Sequence, residues 1–171
     1  RMHGRDAAMS AEIQIESACE LDAAVCRHLI LNSEPWLTLQ YGDSDVQAIV
    51  RSAKSDHLLL ARDGARVVGF ALSASGVLLG EYLKILVVEG SYRSHGVGQR
   101  LMDGLEERAF RDWPNVYLCV SDFNEQARQF YRRRGYEEVG VLKDLLLPGI
   151  GEVLMRKSIA AWRRFQSQPA R

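Results

Sequence analysis

The chain has no surplus of either charge: 22 Lys and Arg stand against 22 Asp and Glu. Coating nucleic acid needs a basic excess to displace counterions, so that class is set aside. No apolar run approaches the roughly 20 residues that cross a bilayer. Residues 1–10 lack the apolar middle of a secretory signal and are expected to form a flexible arm outside the fold. Cysteine is scarce. Cys19, Cys26 and Cys119 are an odd number in no disulfide pattern. The four histidines (His3, His28, His57 and His95) share no ligand spacing with them, so no metal is expected. Repeats, low-complexity tracts and linkers are missing too. These shortages fit a reduced, cytoplasmic protein without nucleic-acid or membrane partners. At 171 residues, 47% of them hydrophobic, the chain can furnish one well-cored domain.

What is present reads as alternating strands and helices. Ile13 and Ile15 alternate with Gln14 and Glu16, a half-buried strand. Leu21, Ala24, Val25 and Leu29 recur at helical spacing, with Pro35 as the stop. A second helix is expected from Ser44, where Ser44 and Gln47 form a capping-box pattern. Runs at 57–61 and 66–72 flank Asp63-Gly64, a hairpin signal. The run 82–88 is apolar except for Lys84 and suits a strand buried on both faces. A loop then leads into a helix over 96–111, with Val97, Leu101, Leu105 and Ala109 on its buried side. A strand at 116–120 follows, then a helix to about Arg134 capped by Asp122 and Glu125 and ended by Gly135. Residues 136–143 and 152–157 close an antiparallel pair. The expected architecture is one mixed α/β sheet, β-α-α-β-β-β-α-β-α-β-β. A domain over 11–158 is followed by an extension, 159–171, holding Trp162 and Phe165.

The sharpest local feature is Arg93-Ser94-His95-Gly96-Val97-Gly98, between a buried strand and an amphipathic helix. A helix start leaves amide hydrogens without partners, and its dipole makes that end partly positive. Glycines keep side chains out of the way, so those donors can close on a pyrophosphate. The dinucleotide fingerprint is absent, because it needs three glycines and a later acid, and no Gly-Lys-Ser/Thr marks a P-loop. A second cluster, Asn124 to Tyr136, sets Asn124, Ala127 and Tyr131 at helical intervals after the next strand. Both motifs then converge at one end of the sheet, where ligands of open α/β sheets sit.

Tyr92-Arg93-x-x-Gly96-x-Gly98, followed by Asn124-x-x-Ala127-x-x-Phe130-Tyr131-x-x-x-Gly135-Tyr136, resembles the GNAT superfamily of acetyl-CoA-dependent N-acetyltransferases. The resemblance spans about residues 13–157. It implies a central strand splayed from its neighbour, with the pantetheine arm of acetyl-CoA between them on the backbone of Leu86, Val87 and Val88. By the same resemblance the Val88 amide polarises the thioester carbonyl. The amides of Arg93, Ser94, His95, Gly96, Val97 and Gly98 hold the diphosphate. Asn124 bonds the arm or nearby backbone, Ala127 and Phe130 line its path, and Tyr131 protonates the leaving thiolate. Packing under the sheet is the other reading of Tyr131. Arg132 to Arg134 could attract the 3′-phosphate of the cofactor, but a solvated charge run that complements the helix dipole is the preferred reading.

The sequence departs from the family at Gly90, where proline is common, and at the catalytic base. Glu81 is the candidate base, yet it stands one residue early, and Tyr82 holds the matching place. Cys119 holds the place of a glutamate used by some relatives, and reads as a small buried hydrophobe. The implied activity is direct acetyl transfer to a primary amine on a small molecule, peptide N-terminus or lysine. A non-catalytic acyl-CoA sensor and an unrelated nucleotide-binding module are the alternatives. Residues 1–55 and the 145–152 loop are expected to choose the acceptor, with Trp36, Tyr41 and Trp113 as possible lining. A homodimer is open.

Overall fold

A computed structural model describes residues 12–166, so the expected arm at 1–10 lies outside the described residues. Seven strands form one sheet: β1 (Gln14–Ala18), β2 (His57–Asp63), β3 (Arg66–Ser75), β4 (Gly80–Val88), β5 (Asn115–Ser121), β6 (Glu137–Lys143) and β7 (Gly151–Ser158). Their order is β1-β2-β3-β4-β5-β7-β6. All pairs are antiparallel except β4 with β5. The helices are α1 (Ala23–Ile30), α2 (Asp43–Ser52), α3 (Val97–Asp112), α4 (Glu125–Arg133) and a short α5 (Trp162–Gln166). The mixed, mostly antiparallel sheet and the element order agree with the sequence reading.

The runs without alternation lie between two layers. Leu58 and Leu60 of β2 join Phe70, Leu72 and Ile85 against Leu29, Ile30, Val46 and Ile49 of α1 and α2. Leu59 and Ala61 point the other way, into a core with Leu101, Met102 and Leu105 of α3 and Leu118 and Met155 of the sheet. Helices thus cover both faces, which is why β2 and β4 read as near-continuous apolar runs. The three cysteines are free, and burial pushes the Cys26 thiol up to about 11.

Three helix boundaries differ from expectation. α1 stops at Ile30, before Pro35 can act. Gly42 rather than Ser44 caps α2, and Asp45 closes the box by accepting from the Gly42 amide at 2.8 Å. Asn124 caps α4 through the Ala127 amide at 3.1 Å, while Asp122 instead accepts from the Gly151 amide at 2.9 Å. At α4 the side chain standing at the helix end, rather than the one two residues before it, reached the free amide.

Candidate active site

β4 and β5 are closed at one end and open at the other. They pair only from Gly80 with Asn115 to Leu83 with Leu118. At the closed end a side chain on Gly80 would come within 2.6 Å of the Asn115 carbonyl oxygen, so glycine is required there. At the open end β4 carries a bulge: β3 pairs Leu72 with Ile85 and Ser73 with Leu83, leaving Lys84 over. An extra residue bends and twists its strand. Beyond it the strands part around a cleft of about 610 Å³.

One wall of the cleft is the free edge of β4. The Glu89 amide donates to the Val68 carbonyl at 2.8 Å, towards β3. Strand alternation therefore turns the amides of Val88 and Leu86 the other way, into the opening. Arg93 Nε donates to the Val88 carbonyl at 3.0 Å and its terminal nitrogen to Ser33 Oγ at 2.9 Å, tying the end of β4 to the segment after α1. The strand edge leads to the start of α3. Gly96 stands there with φ +78 and no side-chain cap, a left-handed geometry that favours glycine. The Arg100 amide already donates to the Gly96 carbonyl at 3.0 Å. The amides of Val97, Gly98 and Gln99 precede the first helical bond and are left for an anion.

The second wall comes from β5 and α4. Asn124, Ala127, Phe130 and Tyr131 all line the cleft. Asn124 spends its side-chain oxygen on its own helix cap. Tyr131, 6% exposed, is held edge-on between Phe130 at 5.1 Å and Tyr136 at 5.6 Å between ring centres. Burial raises its hydroxyl pKa, so the group keeps its proton throughout the working pH range. Of the arginine run, Arg132 is bound to Glu125 and Glu138, and Arg134 to Asp103 and Glu106. Arg133 makes no ion pair among the described residues and lines the cleft. The run is thus mostly paired rather than merely solvated.

Leu86, Val87, Val88, Arg93, Ser94, Gly96, Val97 and Gly98 also border the cleft. His95 does not; its ring nitrogen lies 2.7 Å from the Arg93 carbonyl oxygen. Glu81, proposed from sequence as the base, is the clear misplacement. Fully buried, it is paired with Arg108 of α3 and accepts from Ser73 and from Ser75 at 2.6 and 2.5 Å. That carboxylate faces α3 and takes no part in lining the opening. Trp113 is also elsewhere, stacked on Trp162 at 5.8 Å. Trp36, Tyr41 and Tyr82 do border the cleft, with Leu145 and Leu146 of the 145–152 loop. Cys119 is half-buried there rather than packed in the core, and burial raises its pKa. A thiol kept protonated is a poor nucleophile.

One lining residue was not singled out: Glu152, the end of the 145–152 loop and the first expected residue of the closing strand. Only 4% exposed, it lines the cleft and accepts from Ser121 Oγ at 2.6 Å. Burial raises its pKa first, Asp122 adds to the rise, and the Ser121 bond opposes it. A single polar position at a strand start gave no signal of this.

The fold has many solved counterparts. An aminoglycoside 6'-N-acetyltransferase complexed with coenzyme A is 22% identical, with a TM-score of 0.67 over 86% of this chain and 98% of that one. The ribosomal-protein-S18-alanine N-acetyltransferase of Escherichia coli is 15% identical, with a TM-score of 0.69 over 87% and 97%. A GNAT family acetyltransferase of Elizabethkingia anophelis with acetyl-CoA bound is 13% identical, with a TM-score of 0.68 over 86% and 98%. At these identities the likeness establishes the fold. The sequence profile of the acetyltransferase (GNAT) domain matches residues 16–160, nearly the whole described chain. That match covers well over half of the sequence, and the chain belongs to the GNAT family of acetyltransferases.

Proposed function

We propose that the chain transfers an acetyl group from acetyl-CoA to a primary amine by direct attack, with both substrates bound together. The observation that carries this reading is the parting of β4 from β5 beyond Leu83 and Leu118. It leaves unpaired amides on β4 that run straight to the free amides of α3. The helix start takes the diphosphate, and the strand edge takes the amide groups of the arm, as a missing strand would. Arg133, which lines this path and makes no ion pair among the described residues, suits a cofactor phosphate.

The covalent order of the cofactor assigns the two strand donors. Diphosphate, arm and thioester follow one another, so the thioester lies farthest from residues 93–98. Leu86 sits two residues deeper than Val88, about 6.6 Å along the strand. That distance favours Val88 for the arm and Leu86 for the carbonyl, a shift from the sequence-based choice of Val88. A fixed donor aimed at a developing oxyanion needs no reorganisation, and losing one costs about 3–4 kcal/mol. Tyr131, keeping its proton, donates to the departing sulfur. The protonated Cys119 supports direct attack over an acetyl-cysteine intermediate.

Calorimetric titration with acetyl-CoA, followed by initial rates with both substrates varied, tests the proposal. Intersecting reciprocal plots support a ternary complex. Parallel lines would transfer the role to a covalent intermediate, and absence of acetyl-CoA binding by folded protein would remove the reading altogether.

A further inference from the structure

Among the described residues three glutamates are buried, Glu81, Glu106 and Glu152. Two have a cation. Glu81 is paired with Arg108, and Glu106 with Lys157 at 2.6 Å and Arg134 at 3.2 Å. Glu152 makes no ion pair among the described residues. Its Oε1 accepts from Ser121 Oγ at 2.6 Å, and no described residue donates to Oε2. Oε2 is open to the cleft, so a carboxylate without a counter-charge faces the space where an acceptor would enter.

Among the described residues that face Glu152, none supplies a counter-charge. Cys119 and Ser121 of β5, Tyr82 of β4, Tyr41 before α2 and Asp122 face it, and none is positive. The nearby Lys84 is committed to Asp56 at 2.5 Å. The position is right for an acceptor. Val153 and Met155 of β7 enter the α3 core, so alternation turns Glu152 to the opposite face, shared with Tyr82. Trp36, Leu39, Leu145 and Leu146 complete this end of the cleft with apolar surface.

We propose that Glu152 receives the ammonium group of the acceptor and takes its proton, and that the acceptor is a primary amine bearing one positive charge on an apolar body. This inference rests on the acetyl-transfer reading above. Of the other acids near this end, Glu34 accepts from the Thr38 amide at 3.2 Å and Asp122 from the Gly151 amide at 2.9 Å, so both are already engaged, and Glu152 with its apolar neighbours suits a single ammonium. Burial of the carboxyl helps, because a base whose pKa lies closer to neutrality takes a proton more readily. The step balances. The ammonium gives a proton to Glu152, the amine lone pair forms the N–C bond, and the C–S bond breaks with its electrons on sulfur. Sulfur takes a proton from Tyr131. The nitrogen sheds a second proton, which restores Tyr131, and Glu152 releases the first to solvent. Ammonium plus thioester thus gives amide, thiol and one proton.

The test follows thiol release with 2-phenylethylamine, one ammonium on an apolar body, and with kanamycin, several on a polar one. Acetyl-CoA binding is titrated in parallel, as is 2-phenylethylamine binding to the coenzyme A complex. The parent should favour 2-phenylethylamine by about tenfold or more in kcat/KM. Glu152→Gln should lower that kcat/KM by about 10²- to 10⁴-fold. It should also weaken amine binding, erase the acid limb of the pH profile and leave acetyl-CoA affinity alone. Glu152→Asp should recover part of the rate and the limb. A Gln variant with the parent's pH profile overturns the role of Glu152. Preference for kanamycin, or turnover of neither amine by parent that binds acetyl-CoA, overturns the acceptor class and leaves acetyl transfer standing. Parent protein that does not bind acetyl-CoA fails the transfer reading itself.

Discussion

Gly98→Ala separates the binding role of the α3 start from its structural role, because the two effects have opposite signs. Gly98 is the second residue of α3. A β-carbon there would lie 3.8 Å from Phe130 Cζ and 3.9 Å from Val88 Cγ2, ordinary contact distances. Nothing in the protein has to move. Alanine favours the helix over glycine by up to about 1 kcal/mol, and it also narrows the unfolded ensemble. At this chain length that is worth about 2–4 °C in Tm. The same methyl group would project beside the free amides of Val97, Gly98 and Gln99. Displacing the diphosphate from one charge-assisted hydrogen bond costs about 1.5–3 kcal/mol, which is roughly a ten- to hundredfold rise in Kd for acetyl-CoA. Thermal melting without ligand and calorimetry with acetyl-CoA read the two effects separately. Gly96→Ala is the control: its φ of +78 makes alanine strained there, so it should lower Tm. Should Gly98→Ala raise Tm and leave Kd within about twofold, the helix start does not hold the diphosphate.

The remaining predictions concern single polar groups. Tyr131→Phe should lower kcat by about 10²- to 10⁴-fold and leave acetyl-CoA affinity within about twofold; unchanged turnover would return Tyr131 to a packing role. Glu81→Gln should lower Tm, since it weakens a buried contact to Arg108, yet the folded fraction should keep the parent's kcat and pH profile. A lost pH limb in that variant would reinstate Glu81 as base. Glu152→Gln should make the ligand-free protein more resistant to urea at pH 8, with the gain closing as pH falls towards 4. Burial raises the folded pKa of Glu152, so its stabilising share is complete below the unfolded carboxylate's pKa and is lost as pH rises through the folded one. An unchanged urea midpoint difference between those pH values would contradict the raised pKa.

Much of this was legible before any coordinates. Periodicity located the elements because both faces of the sheet are covered, and the glycine motif marked the uncapped start of α3 because only backbone and φ matter there. Helical spacing picked out Asn124, Ala127 and Tyr131, and Phe130 came with the GNAT resemblance. Caps were less legible: Ser44 and Asp122 had the right chemistry, but Gly42 and Asn124 lay at the actual helix ends. Glu152 was invisible because its role depends on non-local neighbours. Ser121 opposes it across β5 and β7, and Tyr41 arrives from more than a hundred residues away in sequence. A polar residue at a strand start has no distinguishing pattern until those partners are placed.

Lys84 ties the two halves of the site together. In an unbroken strand, residues 82, 84, 86 and 88 would share a face, putting Tyr82 on the α3 side with Val88 and Glu81 on the acceptor side. The bulge reverses that assignment for everything before it. Leu83 enters the α3 core, whereas Ile85 and Val87 enter the α1–α2 core, so the face changes across Lys84. Glu81 is thereby turned to Arg108, and Tyr82 to the acceptor cleft. The residue at which β4 bends away from β5 and the cleft opens therefore also turns the β4 carboxylate away from that cleft. An acid facing the acceptor must then come from another strand on the same face, beyond the parting. On β7, across from Ser121 where β5 has already left β4, that strand supplies Glu152.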